Sequence, residues 1–200
     1  MRGTLGRVGS WLAGAVALLL VVNVGHRVMV FNNAASDRER PYEVSAEVGS
    51  MALARTFTAG VMSVRGAGAI IDPRGGNPHV STGVWVIVTV RAASRDEPVA
   101  IGFAGLRDAA GRVYWASERV KQDLRGGRTL QPGIRVEGEI AFEVPRAAPS
   151  GGLTVLLAKN MFERRMEDIL AFKLDPVDAA TVTGWAADKK ATLTPTKVLG

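Results

Sequence analysis

The chain has 200 residues, with 25 Lys or Arg against 19 Asp or Glu for a formal net charge of +6, and it contains no cysteine. That absence excludes disulfides, thiolate metal sites, thiol redox chemistry and an acylated-cysteine lipid anchor. Three of the 25 basic residues fall before position 36 and no acidic residue does, so the remainder carries 22 bases against 19 acids, mostly interleaved as in Arg38-Glu39-Arg40, which is not a nucleic-acid-binding profile.

Arg2 and Arg7 precede an apolar stretch from Trp11 to Val24 that only Asn23 interrupts, with Trp11, Leu12, Leu18, Leu19, Leu20, Val21 and Val22 as its membrane-anchoring residues. Basic residues followed by apolar ones predict a single N-terminal hydrophobic helix over residues 1–31, with the amino terminus cytoplasmic and the rest extracytoplasmic. A spanning helix needs roughly 20 mostly apolar residues, which Leu12 to Phe31 supplies if Asn23, His26 and Arg27 are tolerated. Leu12 to Val22 alone matches the apolar region of a cleaved secretory signal, so release into the medium is the alternative. The best cleavage point, after Asn33-Ala34-Ala35, puts a poorly fitting Asn33 where a small residue belongs, and Val28 to Phe31 resume the apolar run. An uncleaved signal anchor is therefore the favoured reading, with the lipid bilayer as first partner. Residues 32–43, polar and ending around Pro41, read as a stalk.

From Val44 onward, short apolar runs divided by Gly, Pro, Asp and Asn predict an all-β domain over residues 44–178. Seven candidate strands stand out in chain order: Thr56–Val64, Val84–Val90, Val99–Leu106, Arg112–Ser117, Arg135–Pro145, Leu153–Ala158 and Ile169–Leu174. Between the first two, Arg65-Gly66-Ala67-Gly68 reads as a turn and Asp72–Pro78 as a loop. Val84–Val90 places Trp85 and Ile87 opposite Val84, Val86, Val88 and Val90, which predicts a central strand covered on both sides. Asp108-Ala109-Ala110-Gly111 supplies a hairpin turn with Gly111 available for positive φ, and the adjacent Tyr114 and Trp115 must face opposite ways. In Arg135–Pro145, Val136, Gly138, Ile140, Phe142 and Val144 alternate with Arg135, Glu137, Glu139 and Glu143, predicting a half-buried strand whose charged face is wet.

Helix is a minor component, expected over Lys159–Asp168, where Met161, Phe162, Met166 and Ile169 could share a face. Residues 179–200 read as a C-terminal tail, with Trp185 available to dock on the domain and Lys189–Gly200 loose. Seven short strands with turns every 8 to 15 or so residues predict a two-sheet sandwich.

The order Gly83-Val84-Trp85-Val86-Ile87-Val88-Thr89-Val90, Leu106-Arg107-Asp108, Gly111-Arg112-Val113-Tyr114, Leu130-Gln131-Pro132-Gly133 and Gly138 to Pro145 resembles the extracytoplasmic immunoglobulin-like domains catalogued as domain of unknown function 4352. These are related to a secreted mycobacterial antigen. The resemblance spans about residues 50–175 and implies an exported, immunoglobulin-like two-sheet β-sandwich without catalytic activity. It offers no functional residues to transfer.

Catalytic chemistry has little to work with. Of the two histidines, His26 lies in the leader, and His79 sits in the glycine-rich loop region without a nucleophile motif. One imidazole cannot build a typical zinc shell, and turn chemistry accounts for Asp72, Asn77 and Asp108 without a calcium ion. Glu137, Glu139 and Glu143 read as the solvated side of a sheet rather than an acid–base pair. No cofactor, metal or catalytic residue is expected, and an envelope hydrolase is the least favoured class. The expected function is a non-catalytic, membrane-tethered binding or accessory module of a bacterial envelope, meeting a membrane or envelope protein through an unpaired sheet edge or loop ends such as the Asp72–His79 and Lys121–Leu130 loops, with Asp72, Asn77, His79, Arg125 and Arg128 as candidate contacts.

Overall fold

A computed structural model describes residues 41–122, 124–125, 127–187 and 190–200. The expected hydrophobic helix over residues 1–31, with Trp11, Leu12, Leu18, Leu19, Leu20, Val21 and Val22, lies outside the described residues. Among the described residues no helix is long and apolar enough to cross a membrane.

The domain is a two-sheet β-sandwich. The strands are β1 (Tyr42–Glu47), β2 (Ala52–Leu53), β3 (Phe57–Ile71), β4 (His79–Ser94), β5 (Val99–Ala100), β6 (Phe103–Asp108), β7 (Val113–Trp115), β8 (Thr129–Leu130), β9 (Arg135–Val144), β10 (Leu153–Ala158), β11 (Asp168–Lys173), β12 (Lys190–Thr192) and β13 (Lys197–Leu199), with one short helix, α1 (Ala179–Ala186). Sheet A runs β1-β11-β10-β6-β7, and sheet B runs β12-β3-β4-β9-β13 with β2 also on β3. A separate two-stranded ladder joins β5 and β8.

Alternation builds the core. On β4, Val84, Val86, Val88 and Val90 are almost fully buried and belong to the same cluster as Leu106, Val155, Leu157, Leu170 and Phe172 of sheet A. Each large side chain so buried contributes about 1.5–3 kcal/mol. Trp85 and Ile87 are equally buried on the opposite face, in a second cluster with Ala67, Ile70, Val120, Ala141 and Leu193, so β4 is covered on both sides as its sequence predicts. The β6–β7 hairpin also forms as expected. Gly111 takes φ 81° and its N–H donates to the Asp108 carbonyl at 2.9 Å. Asp108 fixes that turn, its carboxylate accepting from the N–H groups of Ala110 and Arg112, from Arg112 Nε and from the Tyr114 hydroxyl. Tyr114 thus faces inward, while Trp115 is 41% exposed.

Four local expectations fail for a common reason: a distant segment supplies contacts that no short window contains. The Arg65–Gly68 stretch is not a turn but the interior of the 15-residue strand β3. Its glycines serve close approach, because a Cβ on Gly66 would fall inside the Trp185 indole and one on Gly68 would lie 2.7 Å from the Ala186 carbonyl oxygen. Lys159–Asp168 is not helical. Arg164 lies over the Phe103 ring at 4.1 Å, Asn160 hydrogen-bonds Glu167, and Met166 turns at φ 55°. Glu163 pairs with Arg165 two residues on, a spacing that a helix holds apart. The only α-helix among the described residues is α1, whose N-cap Asp178 accepts from the Thr181 N–H at 2.9 Å.

The C-terminal segment is likewise not loose where described. β12 pairs parallel with Ala69–Ile71 of β3, and β13 pairs antiparallel with Arg135–Glu137 of β9. Finally, the carboxylate row of β9 is not the wet side of a sheet. Glu139 is only 8% exposed and receives a bidentate Arg65 at 2.9 and 3.0 Å together with the Thr194 N–H at 2.7 Å. Glu137 takes Arg91 and Lys197, and Glu143 takes Arg119.

Candidate functional site

After β7 the chain leaves sheet A. Ala116 bridges to Phe142, the Ser117 N–H donates to the Ala141 carbonyl, and residues 118–122 then cross the outer face of sheet B. Val120 is buried there with Trp85 and Ala141, and the Arg119 guanidinium lies 5.6 Å from the Trp85 ring while also reaching the Val80 carbonyl. The crossing segment meets the β3–β4 loop at Asp72. Asp72 Oδ1 accepts from the Lys121 N–H at 2.9 Å and lies 3.5 Å from His79 Nε2. Two loops distant in sequence are thereby joined into one wall.

A groove of about 490 Å³ opens beside that junction, lined in part by Asp72, Pro73, Arg74, Lys121, Gln122 and Pro195. Gln122 is pinned, donating to the Ser117 carbonyl and accepting from the Ala141 N–H, each at 2.7 Å. Arg74 and Lys121 are exposed and make no ion pair among the described residues. The groove therefore offers rigid walls, two available cations and one carboxylate already engaged on both sides.

Of the five loop residues singled out from sequence, Asp72 and His79 come together at this junction. Asn77 sits on the exposed part of the same loop. Arg125 and Arg128 point their charge back into the protein. The Arg125 side chain is 10% exposed, 3.7 Å from Glu118, with its Nε buried and unpaired, and Arg128 donates to the Thr196 carbonyl at 3.3 Å. Sequence reasoning placed Arg74 and Lys121 within the two candidate loops without singling them out, and it missed Pro195. Arg74 could have been found as the one base in an exposed breaker-rich loop, whereas Pro195 is brought in only by the β12 pairing.

The chemical reach of the junction is limited to contact and charge. The Asp72–His79 pair has no hydroxyl hydrogen-bonded to His79 among the described residues, the third member that a hydrolytic triad uses. Asp108, a second candidate oxygen ligand, is consumed by Arg112 and Tyr114: desolvation, the largest single influence, pushes its carboxyl up, but the hydrogen bonds from Arg112 and Tyr114 and the Arg112 charge together hold it below the usual range. Among the described residues no group of three or more His, Asp or Glu side chains is placed to hold a metal ion.

No family model matches the sequence, and no curated protein matches it. Among solved structures the chain is similar to the secreted protein MPT63 of Mycobacterium tuberculosis, at 20% identity and a TM-score of 0.48 over 66% of this chain and 98% of that one. It is similar also to the YjhA protein of Bacillus subtilis, at 17% identity and a TM-score of 0.47 over 64% of this chain and 99% of that one. An uncharacterised β-sandwich protein of Clostridium difficile 630 shares 9% identity and a TM-score of 0.44, over 68% and 96% of the two chains. No role passes from these proteins to this chain.

Proposed function

We propose that the chain is a membrane-tethered, extracytoplasmic member of the immunoglobulin-like domains its sequence resembles, acting as a non-catalytic binding or accessory module in a bacterial envelope. The observation that carries the binding role is the Asp72–Lys121 hydrogen bond, which locks two loops into a groove with Arg74 and Lys121 at hand. Two available cations beside fixed walls favour a partner segment that carries carboxylate or phosphate groups. The basic-then-apolar leader supports the tether, and a tether raises the local concentration of the domain near membrane partners without any added contact.

The binding claim is tested by crosslinking intact cells that express the wild type or Arg74→Glu/Lys121→Glu. Capture of a neighbour by the wild type and its loss in the charge-reversed pair supports groove recognition, and equal capture by both defeats it. The tether is tested separately by amino-terminal sequencing of protein from washed membranes. Mature material starting at Ser36 would instead establish the second reading, a cleaved and secreted ligand-binding protein of the same fold, which the short uninterrupted run Leu12–Val22 favours. A hydrolysis screen of the wild type beside Asp72→Ala and Asp108→Ala addresses the enzyme class, and an activity lost in either variant would overturn the non-catalytic assignment.

A further inference from the structure

A second concavity lies away from the groove, inside the sandwich rather than on the outer face of sheet B. Helix α1 enters the edge of the sandwich where β3 lacks side chains at Gly66 and Gly68. There Val182 is buried in the main core and Trp185 packs half-buried against it. The helix does not fill the space it closes. A pocket of about 200 Å³ remains beneath it, with Val64, Val86 and Leu153 at its base and Trp185 as one wall. An apolar space of this order is large enough for a single aromatic ring, since one of about 150 Å³ in another protein holds benzene.

The lining is apolar with one exception. Asp175 is the only charged residue among those that line the pocket, it is exposed at the rim, and it makes no ion pair among the described residues. An apolar base, an aromatic wall and a single available carboxylate specify a ligand by its parts. The apolar portion is about one ring in size, and the charged portion is cationic, attracted both by the carboxylate and by the negative face of the indole.

We propose that this pocket binds a small organic cation, an aromatic or branched alkyl group bearing an ammonium, with its apolar part against Val64, Val86 and Leu153 and its ammonium between Asp175 and Trp185. The site is independent of the groove, so either can fail without the other.

The test uses the full chain labelled with nitrogen-15, and the Trp185 indole N–H resonance is assigned by its loss in Trp185→Phe. Benzylamine, benzyl alcohol and benzoate are titrated in turn at constant ionic strength. The expected result is a saturable shift of the Trp185 resonance with benzylamine at a Kd on the order of 1 mM, as befits a ligand of so few atoms. Benzyl alcohol should bind about 5-fold more weakly and benzoate more weakly still. Asp175→Asn, a rim change that leaves the core intact, should reduce the preference for benzylamine over benzyl alcohol to what the indole face alone supplies, about 2-fold or less. Leu153→Phe should weaken all three by filling the pocket. No saturable shift with any probe, benzoate binding as tightly as benzylamine, or an undiminished preference for the cation in Asp175→Asn would each overturn the proposal.

Discussion

The outer faces of the two sheets begin from the same alternating pattern and end under different kinds of cover. On sheet B, Glu137, Glu139 and Glu143 each meet an arginine, and the crossing segment with Val120 and the C-terminal segment with Leu193 cover what lies between. On sheet A, Phe103, Leu156, Ala158, Ile169 and Ala171 form a small buried apolar layer, but the aromatic side chains packed over it are open to solvent, with Trp115 at 41% and Phe162 at 80% exposure. Charge did not keep the first face wet, and the apolar layer of the second is buried under aromatic cover that is itself exposed. Alternation decides which way a side chain points, whereas cover depends on whether another segment arrives with complementary partners.

Substitutions can break that contrast or sharpen it. The largest effect is expected from Trp85→Ala on the covered face, where a fully buried indole with its Nε1 donating to the His79 carbonyl at 2.7 Å is lost. Chemical denaturation should show a loss of about 3–5 kcal/mol. Glu139→Ala leaves the Thr194 N–H without its acceptor and Arg65 with only the Thr192 carbonyl. A loss of about 2 kcal/mol is expected, below that for a fully buried pair because the Arg65 side chain is 39% exposed. A result near zero would mean that the C-terminal segment covers sheet B without help from its carboxylates.

Trp115→Ala in the exposed cover of sheet A removes an edge-to-face contact with Phe103 at 5.3 Å between ring centroids, for an expected loss of about 1 kcal/mol. A smaller, pH-dependent effect belongs to Glu137. Its hydrogen bonds from Arg91, then from Lys197, hold its carboxyl below the ordinary value of 4.5. A depressed folded-state pKa means that this contribution is complete above the unfolded value and is lost as pH falls through the folded one. Denaturation midpoints measured from neutral pH down through that range should converge for the wild type and Glu137→Gln, the wild type losing its advantage only at the acid end. Smallest of all, Phe162→Ala should change stability by no more than about 0.5 kcal/mol, and a larger loss would show that the loop over sheet A is a working part of the core.

The sequence made the interior of the sandwich legible and left much of its surroundings unread. The two-sided burial of β4, the inward face of β9, the turn at Gly111 and the split between Tyr114 and Trp115 all follow from period-two spacing and local turn chemistry. Gly66 and Gly68 looked like punctuation because glycine is the same residue whether it bends a chain or admits a neighbour, and the neighbour here, Trp185, lies far along the chain. The Met161–Ile169 periodicity was too short to sustain a helix against Arg164 stacking on Phe103. Strand β1, paired in parallel with β11, shows Tyr42, Val44 and Ala46 alternating with Glu43, Ser45 and Glu47, a signal hidden by the polar stretch before it. Among the candidate site residues, Asp72 and His79 were readable from their loop. Arg74 was readable too, as the one base of that loop, whereas its proximity to Lys121 required knowing that the crossing segment would dock there.

The pairing of β12 with β3 and of β13 with β9 also carries a consequence for biosynthesis. Both short strands are made after every strand they flank, so a nascent chain that has already laid down β3, β4 and β9 still shows the edge stretches Ala69–Ile71 and Arg135–Glu137 without their partners. Blunting them with three-residue strips removes the template on which foreign or sister chains would stack. A chain truncated before residue 190 would leave those edge stretches bare, which makes β12 and β13 a guard against edge-to-edge association.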